Sequence, residues 1–93
     1  MINGFKDNDT EAVFERRFVK RFSGIEPSAH TRLKRLAAAE TLADLQAIPG
    51  NHLEALKGSR KGQYSIRIND QWRICFGWVD GKGAHDVEIV DYH

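Results

Sequence analysis

Residues 56–76 read LKGSRKGQYSIRINDQWRICF, and their alternation decides the fold. Tyr64, Ile66 and Ile68 point one way along a first run. Trp72, Ile74, Phe76 and, just beyond, Trp78 do the same along a second. Period-two alternation of this length predicts half-buried strands, and Asn69-Asp70-Gln71 predicts a tight hairpin between them. Pairing Ile68 with Trp72 across that loop pairs Ile66 with Ile74 and sets Arg67 opposite Arg73. Like charges directly opposed weaken a sheet unless an anion or nearby carboxylates compensate. Upstream lie Lys57, Arg60 and Lys61, spaced by Gly58 and Gly62, and from Lys57 to Arg73 the only acid is Asp70. Two readings of this basic face are open: solvated cations, or a floor that binds phosphate, with RNA as the polyanion.

The rest of the chain bounds the answer. Its 93 residues predict one small domain spanning 1–93. The 41% hydrophobic content, with two Trp and five Phe, is enough for a compact core. A net charge of +1 excludes a globally basic coat, but the charges are segregated. Asp7, Asp9 and Glu11 make the start acidic, and basic residues dominate from Arg16 to Arg35. Such segregation suits a local nucleic-acid patch or an acidic protein partner. The single cysteine, Cys75, falls within a predicted strand and reads as a small buried hydrophobe in a reducing compartment. No run resembles a signal peptide or is long enough to span a bilayer, so the expectation is a soluble, cytoplasmic protein without a membrane partner.

Taken in order, Met1 to Phe5 predicts a short edge strand. Asp9 or Thr10 is the expected cap of a helix with an apolar stripe of Ala12, Phe14, Phe18, Val19 and Phe22, ending at Ser23-Gly24. Arg16, Arg17, Lys20 and Arg21 then complement the negative end of that helix, or else contact RNA. Pro27, with Glu26 beside it, suits the first turn of a second helix carrying Ala29, Leu33, Leu36 and Ala37 inward. Thr41 with Asp44 resembles a capping box for a final turn from Leu42 to Ala47, stopped by Pro49-Gly50. Short strands follow at 53–56, 63–68, 72–79 and 85–92. The predicted class is α+β, with two N-terminal helices on one face of a mainly antiparallel sheet of four to five strands. The opposite face is left open to solvent and ligand.

His30, His52, His85, His93 and one cysteine lack any metal-ligand spacing, so no metal or other cofactor is expected. No phosphate-binding loop, dinucleotide fingerprint or nucleophile elbow is present. The terminal Asp91-Tyr92-His93 continues an apolar strand. By alternation Tyr92 shares a face with Val90 and Glu88, which in this register is the Arg73 face. An ordinary polar strand end is one reading; a proton-transfer site is the other. Cleavage of RNA without metal needs a base for the 2′-hydroxyl, cations at phosphorus and an acid for the leaving 5′ oxygen. Tyr92 and His93, with His52 or Asp91, are candidates for proton transfer, and Lys57, Arg60 and Arg73 for charge. Tyr64 is a candidate for stacking a base, whereas Trp72 reads as core.

The pattern Leu56-Lys57-Gly58-x-Arg60-x-Gly62-x-x-Ser65-Ile66-Arg67-Ile68-Asn69-x-x-Trp72-Arg73-x-x-Phe76, followed by Val87-x-Ile89-x-Asp91-Tyr92-His93, resembles the HigB type of toxin in the RelE/ParE superfamily. The similarity runs through essentially the whole chain, including Pro49-Gly50-Asn51. It implies a RelE-like fold and a cytoplasmic toxin that enters the ribosomal A site and cuts mRNA during translation. It further implies a neutralising antitoxin of the HigA kind with a helix-turn-helix domain, and operator DNA bound only through that complex. Carried over by motif, the catalytic set is Lys57, Arg73, Asp91, Tyr92 and His93. Arg60, Lys61, Arg67, His52 and Tyr64 are the expected RNA contacts. Two other readings stay open: a ParE-like toxin that acts by binding gyrase, and a non-catalytic RNA- or protein-binding module.

Overall fold

The hairpin forms in the register its alternation requires. In the computed structural model, which describes residues 1–91, Ile66 pairs with Ile74 and Arg67 with Arg73. Ile68 N–H donates to the Trp72 carbonyl at 2.9 Å, closing the loop, and the Asn69 side chain accepts from the Gln71 and Trp72 amides. Tyr92 and His93 lie outside the described residues.

Four strands, β1 (Glu54–Ala55), β2 (Gln63–Arg67), β3 (Trp72–Val79) and β4 (Gly83–Asp91), form one sheet in sequence order, every pair antiparallel. Residues 2–5 run parallel to β4 through isolated bridges, Ile2 to Ala84 and Phe5 to Val87, rather than as a full strand. Among the described residues three α-helices complete the fold: α1 (Asn8–Phe14), α2 (Glu26–Ala38) and α3 (Leu42–Gln46).

The inward side chains behave as the periodicity demands. Ile66, Ile74, Phe76, Val87 and Ile89 on the sheet meet Val13 of α1 and Ala29, Leu33 and Leu36 of α2 in one buried cluster. Ala37 is only half-buried, at the margin of the α2 stripe. Phe22 and Trp72 meet edge-to-face, 5.4 Å between ring centroids, and close the hairpin end of the core. Two polar contacts tie the layers together. Thr10 Oγ1 accepts from the Ile89 amide at 3.0 Å, fixing α1 on β4. The buried His30 ring lies 3.1 Å from the Val13 carbonyl, fixing α2 on the end of α1.

The first helix differs from its expectation at both ends. Asp7, not Asp9 or Thr10, is the cap, accepting from the Thr10 amide at 2.7 Å. The helix stops at Phe14 instead of continuing to Ser23. Arg16 adopts the left-handed conformation (φ 60°), the Arg17 amide donates to the Ala12 carbonyl, and the Arg16 amide donates to the Val13 carbonyl. That pair of bonds is a Schellman terminator, usually built on glycine. The four cations from Arg16 to Arg21 therefore follow the helix instead of complementing its last turn. Phe18 leaves the apolar stripe and stands 72% exposed, and Phe22 sits in a separate 3₁₀ turn, Lys20–Phe22. By contrast, Thr41 and Asp44 form the full reciprocal capping box at the start of α3.

Candidate active site

The face of the sheet away from the helices carries Arg73 and Cys75 on β3, Ser65 and Arg67 on β2, and Glu88 and Val90 on β4. Register and alternation bring them together: Ser65 and Glu88 flank Cys75, while Arg67 and Val90 flank Arg73. Arg73 is only 9% exposed. A guanidinium at that depth is costly unless its donors are used. Nε donates to Ser65 Oγ at 2.8 Å; Nη2 donates to the His52 carbonyl at 2.6 Å and reaches the Ser65 carbonyl at 3.4 Å. Glu54 Oε1 lies 3.7 Å from the same nitrogen. The planar fork is thereby held in one orientation.

The His52 carbonyl is aimed by the residues before it. His52 takes a left-handed backbone (φ 46°) directly after Asn51, which is fully buried. Asn51 donates through Nδ2 to the Leu45 carbonyl at 3.0 Å and accepts from Arg32 Nη1 at 2.7 Å. Its own carbonyl accepts the Arg67 amide at 2.7 Å. Arg32 approaches so closely that a side chain on Gly50 (φ 83°) would lie 3.1 Å from Nη2. Burial, then Arg35 and Arg67, hold the Arg32 pKa below its ordinary value.

A second cationic group adjoins the first. Arg60, in the 3₁₀ turn Gly58–Arg60, donates through Nη1 to Gln63 Oε1 at 3.2 Å and to Glu88 Oε1 at 2.9 Å. Lys6 Nζ lies 3.6 Å from the same Glu88 oxygen. Cys75 is buried close to this network. Burial pushes its thiol pKa up; Arg60 pulls against that, Glu88 adds to it, and Arg73 and Lys6 act weakly in Arg60's direction.

The opposed arginines are compensated separately. Arg73 uses Ser65, His52 and Glu54, whereas Arg67 turns to the hairpin loop, donating to the Asp70 carboxylate and, at 3.3 Å, to the Asn69 carbonyl. Nearby carboxylates thus relieve the repulsion, one of the two solutions the sequence allows.

Of the expected site residues, Arg60 and Arg73 come together on one face. Lys57 and Lys61 are exposed at either end of the turn that carries Arg60. The His52 ring is exposed, and it is the backbone of that residue that meets Arg73. Tyr64 is on the other face: its ring stacks on Phe76 at 6.2 Å and packs half-buried against the core, away from Arg73. Asp91 pairs with Trp72, which by alternation puts it opposite in facing to Arg73, and its carboxylate accepts from Gln71 Nε2 at 3.0 Å. Tyr92 and His93, the remaining candidates, fall outside the described residues. Among the described residues no three His, Cys, Asp or Glu side chains gather as a metal site would require, and no helix is long and apolar enough to cross a membrane.

Sequence reasoning passed over Ser65, Asn51, Glu54 and Lys6. Alternation alone puts Ser65 on the Arg67 face, but its bond to Arg73 appears only once β2 and β3 are paired. Asn51 entered only through the resemblance, within Pro49-Gly50-Asn51, and with no role attached to it.

Comparison with known proteins agrees with this architecture. The model of the RelE-like toxin of the type II toxin–antitoxin system HigB matches residues 3–93. Toxin HigB-1 of Vibrio cholerae serotype O1 is 43% identical over 79 residues, 83% of each chain. Endoribonuclease HigB of Proteus vulgaris is 31% identical over 96 aligned positions and covers the whole of both. Among solved structures, a chain of the YoeB-YefM complex from Staphylococcus aureus superposes with a TM-score of 0.57 at 18% identity, covering 100% of this chain and 98% of that one, a likeness of fold. The chain belongs to the RelE-like toxins of the HigB type II toxin–antitoxin system.

Proposed function

We propose that this protein is a ribosome-dependent endoribonuclease that cuts mRNA during translation, using its own side chains in place of a metal. A helix-turn-helix antitoxin of the HigA kind neutralises it, and the pair binds operator DNA through that antitoxin. The observation that carries the reading is Arg73, a nearly buried guanidinium locked by Ser65 and the His52 carbonyl on the sheet face opposite the helices. A preorganised cation costs little reorganisation when charge develops at phosphorus. The name of the Proteus vulgaris relative, an endoribonuclease, supports the same chemistry.

In this reading a base removes the 2′-hydroxyl proton, the oxygen attacks phosphorus, and an acid protonates the departing 5′ oxygen. Only RNA carries that internal nucleophile. Arg73, with Arg60 and Lys57, neutralises the growing charge. Proton transfer is assigned to Tyr92 and His93, with Asp91, which faces away from Arg73, in a supporting part beside them. Lys61, Arg67 and His52 guide the flanking phosphates.

Producing the chain alone in bacteria tests the proposal. The expected result is growth arrest with mRNA cut within codons, relieved by Arg73→Ala, and restored growth when the antitoxin is supplied. The purified protein is expected to cut mRNA on programmed ribosomes and to act poorly on naked RNA. Arrest with intact mRNA and damaged DNA replaces this reading with gyrase poisoning; no arrest leaves a binding module.

A further inference from the structure

The ladder between β3 and β4 contains one irregularity, and it changes which side chain reaches the Arg73 face. Cys75 pairs with Glu88, so a regular antiparallel ladder sets Asp86 opposite Gly77; the observed partner of Gly77 is His85. One extra residue has entered β4. Asp86 absorbs it in the left-handed conformation (φ 51°), a region open to aspartate more readily than to most residues but still disfavoured. Bulges of this sort re-aim a side chain. Here the bulge turns His85 onto the face that alternation assigns to Arg73, Cys75 and Gly77.

Two further features fit that side chain. The imidazole fills the space above Gly77, where a Cβ would fall 2.2 Å from Cε1 and 2.4 Å from Nε2. Gly77 lies mid-strand without a positive φ, and glycine there weakens a strand unless something approaches closely. The His85 ring is that neighbour. Its Nδ1 lies 2.7 Å from Asp86 Oδ2, which fixes the ring's rotation while the side chain stays 43% exposed. A surface histidine merely paired with the next residue requires neither a bulge nor a glycine across the ladder.

The position relates to the rest of the face. Gly77 is flanked on its other side by Gln63, whose Oε1 holds Arg60. Four residues of extended strand separate Gly77 from Arg73, about 13 Å. We propose that His85 is a base-stacking residue for the RNA strand. A strand gripped by Arg73 and Arg60 continues along β3, and the nucleobase beyond the scissile link rests on the exposed imidazole. A flat ring of fixed orientation suits single-stranded RNA, whose splayed bases stack on such groups. This inference rests on the endoribonuclease reading.

Steady-state cleavage of a defined mRNA on programmed ribosomes tests it, with thermal unfolding of each variant measured alongside. His85→Ala is expected to raise KM about tenfold with kcat and the unfolding midpoint unchanged. His85→Phe, which keeps a stacking surface and fills the same space, is expected to restore the wild-type KM. An unchanged KM in His85→Ala overturns the proposal, as does a lost KM that phenylalanine fails to restore. A fall in kcat alone also overturns it, pointing instead to proton transfer. If the unaltered protein cuts no mRNA, the endoribonuclease reading itself has failed, a result distinct from all of these.

Discussion

The two faces of this sheet are equally dry at their centres and are dried by opposite means. On one, Ile66, Ile74 and Phe76 are fully buried beneath helices α1 and α2. On the other, Ser65 and Cys75 are also fully buried and Arg73 nearly so, but the neighbours are polar: Ser65, the His52 carbonyl and Glu54 hold Arg73, and Arg60, Glu88 and Lys6 form a charged mesh near Cys75. A hydrophobic layer is non-directional and tolerates reshuffling. A charged mesh works only while each group keeps its partner. The first face holds the fold together; the second keeps cations in fixed positions at a surface that a polymer can reach.

Changes that separate those two roles sharpen the contrast. The largest effect is expected from Phe76→Ala. That ring is fully buried between Tyr64 and Trp78, and its loss is expected to cost about 3–5 kcal/mol in urea unfolding, a large part of a small domain's stability. Next, Arg73→Lys keeps the charge but cannot serve Ser65 Oγ and the His52 carbonyl at once. Its mRNA cleavage is expected to fall about 100-fold, while the unfolding midpoint moves by only a few degrees, about 5 °C. A smaller effect concerns the mesh as a seal. With its thiol buried and its pKa pushed up, Cys75 is expected to resist alkylation at neutral pH and to react faster as pH rises. Glu88→Ala removes the shared acceptor of Arg60 and Lys6, so faster labelling by mass spectrometry is expected.

The smallest change lies away from both faces. Thr41→Ala removes the α3 cap at a cost of about 1 kcal/mol with cleavage unaffected, measured by unfolding and by activity. The same cap has a pH signature. The Glu40 and Thr41 amides hold the Asp44 carboxyl below its ordinary value. Its contribution is therefore complete above the usual carboxylate range and fades as pH falls through the lowered folded value.

The hairpin was legible because the side-chain period of a strand allows no slack: a one-residue slip would bury Arg67 and expose Ile66. The capping box of α3 was legible because each of its two bonds has a particular side chain as acceptor. The end of α1 was not, since Arg16 takes a conformation whose usual marker is glycine. At the site, Arg73 and Arg60 announced themselves by charge. The group that orients Arg73 is largely a backbone carbonyl, and such an acceptor has no residue type to read. Tyr64 was read for its aromatic chemistry, while alternation already put it with Ile66 and Phe76, where its ring packs against the core. Glu88 was placed on the correct face by alternation, but its partner Arg60 lies 28 residues away in sequence.

The first residues of the chain carry a consequence for how copies of this protein meet one another. The Met1 and Gly4 carbonyls accept from Ala84 and Val87, and the Asn3 and Lys6 amides donate back to β4. That margin of the sheet is already occupied. The other margin, β1, is two residues long, too short to template a neighbour. Unsatisfied strand margins invite stacking into fibrils, so a chain that accumulates without its partner has little exposed ladder from which to aggregate.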